Sequence, residues 1–327
     1  MHSSAGARGR VRELKSDRDV TGILVVDKPA GITSHDVVDK VRRIFRTRRV
    51  GHTGTLDPDA TGVLVLCLGR ATRLADYLSS SSKHYRAEFV FGIRTDTMDA
   101  SGTTISDQDA SGVSRASIES LLDSFRGKIV QVPPMVSARH HEGRRLYELA
   151  REGVTVPREG REVLISELEL TDFYPGEHPR AVLEVTCSTG TYIRVLSDDL
   201  GNAAGIGAHM SALRRTWVGS EEKTAFTLQE ARTIAELEAL AESETVLSAL
   251  LPIADGLRAV PHLQLRSESL VRLRHGQSVA ASEVTSRVEC VPVEASRAAV
   301  LDDGGEVCAL VRWEAGMLRP LKVIAPL

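Results

Sequence analysis

Residues 50–68, VGHTGTLDPDATGVLVLCL, set Asp57 in a glycine-punctuated loop just ahead of an apolar run. Gly51, Gly54 and Gly62 permit backbone geometries and close approaches that a side chain would block. Pro58 biases Asp57 away from the helical region. A carboxylate held in such a loop suits a nucleophile or base acting on a molecule that docks against it. Two plainer readings stand beside this one. An Asp-Pro turn can use its carboxylate to cap backbone amides. A metal ligand is the weaker alternative, because no second carboxylate or histidine pair sits at useful spacing. A nucleophilic Asp57 must be ionised, which a nearby guanidinium favours. Arg194 is the candidate partner, and His52 and Thr55 add polar groups that a connecting turn would not need.

The elements that must position these groups follow from periodicity. Residues 22–26, GILVV, read as a strand that turns at DKPAG, and Ser34 is the expected N-cap of a helix over 34–46 with Val37, Val38, Val41, Ile44 and Phe45 on one face. Residues 63–68 read as a strand buried on both faces. Helices are expected over 71–78, 114–125, 191–200 and 228–250, and strands over 85–93, 162–173 and 181–187. On the 191–200 helix Arg194 lies about 100° from the inward Ile193, so its side chain can reach a cleft. Residues 133–158, opening with Pro133-Pro134 and rich in Arg and His, read as a projecting, exposed insertion. From about 255 short strands alternate with turns such as DDGG at 302–305, which predicts a small β-rich domain.

A length of 327 residues favours two domains, and 42% hydrophobic with 26% charged residues is ordinary for a globular chain. Four scattered cysteines (Cys67, Cys187, Cys290, Cys308) form no CxxC pair, which argues for a reducing compartment and against a disulfide framework or zinc site. The apolar runs are too short for a membrane span. Residues 1–20 are polar and basic, without the apolar stretch of a secretory signal, and read as a disordered tail. The net charge of −3 announces no polyanionic partner, yet Lys40, Arg42, Arg43, Arg46, Arg48 and Arg49 form a stripe that no acidic residue interrupts. Such a stripe is usually a solvated face, although a local run of basic residues matters more than the total charge for phosphate binding.

GHTGTLDPDATGVLVLCLGRATR closely resembles the catalytic motif of the TruB family of tRNA pseudouridine synthases. The resemblance continues, in order, through DKPAGITSHDVV (27–38), KHYRAEFVFGIRTDTMDASG (83–102), PPMVSA (133–138), LYELAREG (146–153), CSTGTYIRVLSDDLG (187–201) and GAHMSALRRTWVG (207–219). It implies isomerisation of the T-loop uridine at tRNA position 55 to pseudouridine, without a cofactor or metal. Asp57 would be the nucleophile, Tyr85 would stack on the base and could take part in removing the C5 proton, and Arg194 would pair with Asp57. Tyr192 and Leu213 would line the uridine pocket. His52 would fill the space left by the flipped nucleotide, and Lys28 and Pro29 would support the loop. The residues leave open whether Asp57 attacks C1′ or C6 or assists a glycal route.

The resemblance also implies a pseudouridine synthase fold of α+β class over residues 21–254: a mainly antiparallel mixed sheet with flanking helices and a central cleft. A PUA-like RNA-binding domain would follow at 255–327. Arg42, Arg46, Arg49, Arg139, Arg144 and Arg145 are the expected phosphate contacts along the T-arm, the last three in an insertion that grips the RNA. Around His140, His141 and Glu142 the chain departs from the family pattern. The expected enzyme is a cytoplasmic monomer with tRNA as partner and no obligate protein partner. A guide-dependent ribosomal RNA synthase and a tRNA-folding chaperone with incidental catalysis are the competing readings.

Overall fold

The computed structural model describes residues 20–135, 137, 140–141, 144–145, 152–154, 156–288 and 296–324. The expected tail, apart from Val20, and Arg139 lie outside the described residues, as do the side chains of Arg144 and Arg145.

The chain opens with β1 (Gly22–Lys28), α1 (Ser34–Ile44), β2 (Val50–His52), β3 (Thr61–Leu68), α2 (Ala75–Ser79) and β4 (Ser82–Phe91). A short hairpin, β5 (Ile93–Thr95) and β6 (Thr104–Asp107), precedes α3 (Arg115–Leu122) and β7 (Gly127–Gln131). Two-residue strands β8 (His140–His141) and β9 (Arg144–Arg145) pair within the 133–158 insertion. Then come β10 (Arg161–Tyr174), β11 (Arg180–Cys187), α4 (Ile193–Ala203), β12 (Ala208–Gly219), β13 (Phe226–Thr227) and α5 (Ile234–Glu242).

Seven strands form the path β1-β3-β12-β4-β11-β10-β7 of a nine-stranded sheet, with β2 and β13 joined at its side. Every pairing in it is antiparallel except β3 with β12. A second, six-stranded sheet lies within residues 262–323. The α+β class and the mainly antiparallel mixed sheet are therefore as expected.

Alternation along the strands sorts side chains into separate cores. Leu24, Val26, Leu64, Leu66, Phe89, Phe91 and Leu183 pack under helices α1, α3, α4 and α5 through Val37, Val41, Ile118, Leu122, Leu196, Leu200 and Leu237. The opposite face of β1 and β3, with Ile23, Val25, Val63, Val65 and Cys67, packs against Leu74, Leu78 and the second sheet's Ala299, Leu301, Val307 and Leu310. That is why 63–68 is apolar at every position: β3 is covered on both sides. The second sheet keeps a smaller core of its own around Leu263, Leu273, Val300 and Val311.

Three sequence expectations need correction. Thr33, not Ser34, caps α1: its hydroxyl accepts from the Asp36 N–H and the Asp36 carboxylate returns to the Thr33 N–H, a reciprocal box. The helix ends at Ile44, and Arg46 adopts a left-handed φ of 51°. The stretch 228–250 holds only a nine-residue α-helix, started by a Thr233–Glu236 capping box and followed by a short 3-10 turn. No helix among the described residues is long and apolar enough to cross a membrane.

Candidate active site

The inward face of β4 changes character along its length. Phe91, Phe89 and Ala87 are core, while Tyr85 and Lys83, two and four residues back on the same face, floor a cavity of about 310 Å³. Register carries the change across the sheet: Leu213 lies opposite Ala87 and Arg215 opposite Tyr85 on β12, and Cys187 lies opposite Lys83 on β11. One wall of the cavity is residues 54–57 between β2 and β3. The other is residues 188–194, the approach to α4.

The first wall makes few ladder bonds of its own, and buried side chains hold it instead. Lys28, fully buried at the end of β1, donates from Nζ to the carbonyls of Pro29 (2.9 Å), Pro58 (2.7 Å) and Ala60 (2.7 Å). Arg215, 1% exposed, donates through Nε to Val63 O (2.7 Å), Nη2 to Gly54 O (3.1 Å) and Nη1 to Thr55 O (3.4 Å). Ser34 Oγ accepts from the Leu56 N–H (2.8 Å) and donates to the Leu56 carbonyl (3.1 Å). Burying an ammonium or guanidinium costs several kcal/mol, roughly, which hydrogen bonds to several carbonyls offset. Of the three loop glycines, Gly62 alone has positive φ (101°), and a Cβ there would lie 2.1 Å from Arg215 O. The parallel β3–β12 contact therefore requires glycine at 62.

Asp57 meets Arg194 side-on: Oδ2 lies 2.9 Å from Nε, and Nη2 donates to Oδ1 at 3.2 Å. The guanidinium is 3% exposed while the carboxylate keeps 38% exposure toward the cavity. On its far side Arg194 Nη1 donates to Thr97 O (3.2 Å) and lies 3.5 Å from the Asp99 carboxylate. Thr97 and Asp99 belong to the turn between β5 and β6. A bidentate Arg94–Asp198 pair ties that hairpin to α4 (2.9 and 3.1 Å). Among the described residues the arginine has two carboxylate neighbours, of which Asp57 lines the cavity and Asp99 does not.

Desolvation in the cleft raises the Asp57 pKa above the ordinary carboxylate value, and Arg194 pulls it part of the way back. Burial also pushes the Tyr85 phenol up, with Arg215 opposing, so the hydroxyl stays protonated at neutral pH. Desolvation lowers Lys28 and Lys83 to about 8 each.

The structure brings Thr55, Asp57, Tyr85, Tyr192, Arg194 and Leu213 together around one cavity. His52 (on β2), Lys28 and Pro29 are not among its lining residues; Lys28 acts on the loop from behind, and Pro29 contributes its carbonyl to that clamp. In the basic stripe Arg42 is engaged with Asp39 (2.9 Å) and Val50 O (3.3 Å), while Arg46 and Arg49 are exposed. Sequence reasoning missed Ser34 as a loop clamp, and also Lys83, Asp99, Gln131 and Arg215. RTDTMD and LRR were visible as motifs, but nothing in them announced burial.

Comparison with known proteins identifies the family. Residues 42–193 match the family model for the TruB family pseudouridylate synthase N-terminal domain, and 194–257 match the tRNA pseudouridylate synthase B C-terminal domain. The tRNA pseudouridine synthase B of Symbiobacterium thermophilum is 48% identical over 79% of this chain and 83% of its own length. That of Moorella thermoacetica is 40% identical over 93% and 99%. Among solved structures, the archaeal box H/ACA sRNP Nop10-Cbf5 complex contains a chain of the same fold. Its TM-score is 0.69 at 23% identity, covering 94% of this chain and 88% of that one. Identity at this level over most of the chain leaves one conclusion: the protein belongs to the TruB family of pseudouridylate synthases.

Proposed function

We propose that this cleft isomerises uridine to pseudouridine at position 55 in the T-loop of tRNA, with Asp57 as nucleophile. The reading is carried by the side-on Asp57–Arg194 pair at the edge of a cavity floored by Tyr85. The reaction conserves every atom: N1–C1′ breaks, the base turns, C5–C1′ forms, and a proton leaves C5 while N1 regains one. No oxidant, reductant or cofactor enters that balance. The pocket therefore has to hold a flipped base, supply an ionised carboxylate and steady charge as it moves.

Arg194 keeps Asp57 anionic and aimed at the cavity. Tyr85, a phenol that burial pushes still further from ionisation, serves as stacking surface and hydrogen-bond donor rather than as a ready base. Tyr192 and Leu213 close the sides of the base site. Exposed Arg43, Arg46 and Arg49, with the basic residues of the 133–158 insertion, would contact T-arm phosphates. The β-rich unit at 255–327 would add a PUA-like RNA contact. The enzyme would act in the cytoplasm as a monomer, without guide RNA or protein partner. Relatives 40–48% identical over most of their length carry the name tRNA pseudouridine synthase B, which favours tRNA over a guide-dependent substrate.

The test is tritium release from C5-labelled uridine in an unmodified tRNA transcript, with Asp57→Asn beside the parent. Release by the parent alone, at one T-loop position, supports the reading. No release by the parent, or equal release by Asp57→Asn, overturns it.

A further inference from the structure

Both walls of the cavity carry the same construction, and the two are far apart in sequence. On the first wall, one hydroxyl grips both backbone groups of Leu56, the residue before Asp57: Ser34 Oγ accepts from its N–H and donates to its carbonyl. On the second wall, one side-chain amide grips both backbone groups of Tyr192, two residues before Arg194. Gln131 Oε1 accepts from the Tyr192 N–H (3.0 Å) and Nε2 donates to the Tyr192 carbonyl (3.3 Å). Ser34 and Gln131 are each 2% exposed; the Ser34 bonds are buried and the Gln131 bonds are partly buried, so water competes little with either grip.

Tyr192 is the N-cap residue of α4 and receives no cap from its own side chain. The start of a helix is where its direction is set, and four of its N–H groups lack partners within the helix. With Gln131 holding the cap residue from the edge strand β7, the first turn of α4, which bears Arg194, is registered against the sheet. Ser34 does the same for the loop that bears Asp57, from the first turn of α1. The 2.9 Å approach of Asp57 and Arg194 thus joins two walls that are each fixed immediately upstream of the reacting group.

We infer that Ser34 and Gln131 are paired positioning residues that set the Asp57–Arg194 geometry, acting on catalysis and not on RNA affinity. This rests on the reading of Asp57 and Arg194 given above. Neither side chain lines the cavity as a group available to the base: Gln131 is absent from its lining, as is Ser34, and both spend their polar atoms on backbone. A displacement of about 1 Å at a reacting group can cost about 10²-fold in rate, which sets the scale of the expected effect.

The full-length enzyme with unmodified tRNA transcript provides the test, by single-turnover tritium release and by filter binding. Ser34→Ala and Gln131→Met should each slow the chemical step about 10- to 100-fold while tRNA affinity stays within about twofold of the parent. Gln131→Glu, which keeps the acceptor for the Tyr192 N–H and loses the donor, should fall between parent and Gln131→Met. In an Arg194→Lys background the Gln131→Met effect should shrink, because its consequence is carried through Arg194. Rates equal to the parent, or affinity falling in step with rate, or full multiplicativity with Arg194→Lys, would each sink the inference. Melting temperatures separate loss of geometry from loss of fold. Should Gln131→Met not fold, Ser34→Ala and Gln131→Glu still decide the outcome. If Asp57→Asn keeps its activity, the functional reading fails first. If it is inactive and the positioning variants run like the parent, only the inference fails.

Discussion

The two ends of β4 share a strand, a face and a hydrogen-bonded sheet, yet are built on opposite rules. At one end Ala87, Phe89 and Phe91 fill a dry core with no polar atom to satisfy. At the other, Tyr85 and Lys83 sit with Arg215 under a cavity, and buried cations hold carbonyl oxygens at its base: Lys83 donates to Ser79 O (2.9 Å) and Ser81 O (2.5 Å). The difference teaches where the fold keeps its costs. The apolar end supplies stability, and the polar end uses some of it to hold desolvated groups in one arrangement.

That contrast can be broken by mutation, and the largest effect belongs to the polar end. Asp57→Asn should lower the single-turnover rate by about 10³-fold or more, with the chain still folded by circular dichroism. At the apolar end Phe89→Ala should cost about 3–5 kcal/mol in urea unfolding, with the folded fraction turning over near the parent rate. A Phe89→Ala enzyme that is stable but slow would mean that the two ends are not separable. Next comes Lys83, whose ammonium sits at about 8 in the folded chain against an ordinary 10.5. Between those values the unfolded chain holds more protons, so this group makes stability rise with pH. Relative to Lys83→Met, the parent should gain up to about 3 kcal/mol from pH 8 to 10.5, read from paired denaturant titrations.

The remaining two effects are smaller. Because burial raises Asp57, the acid limb of the single-turnover pH profile should lie above the ordinary aspartate range, the rate falling as pH drops and the carboxylate protonates. A limb at or below the ordinary value would contradict the desolvation seen at the polar end. Farther from either end, Arg43→Ala should lower the salt slope of tRNA binding by about one unit and leave the chemical step alone. Filter binding across a salt series measures it.

Much of this site was legible from Asp57 outward, because glycine, proline and aspartate leave local signatures and the neighbouring motifs fix the family. The partners were less so. Arg194 could be proposed because helical periodicity put it beside an inward residue. Gln131 meets Tyr192 across 61 residues and Arg215 meets Gly54 across 161, and such contacts depend on strand order rather than on local pattern. The misreading of Ser34 has a simple origin. Thr33 and Asp36 stand at capping-box spacing, so the cap was already supplied one residue earlier and Ser34 was free to turn inward onto Leu56. The overlong helix at 228–250 fails for a related reason, since the Thr233–Glu236 box starts it later than its Ala and Glu content suggests.

The double coverage of β3 also bears on how this protein can be divided. Ile23, Val25, Val63, Val65 and Cys67 share one apolar cluster with Leu74, Leu78 and residues of the second sheet, and Arg73 donates to the Val323 carbonyl at 2.7 Å across the same junction. A truncated chain lacking its last strands would uncover part of that face of β1 and β3, and β3 is the strand that leads out of the Asp57 loop. Trimming the C-terminus therefore does more than shorten the chain: it turns part of an interior surface into an apolar exterior one, at the root of the Asp57 loop.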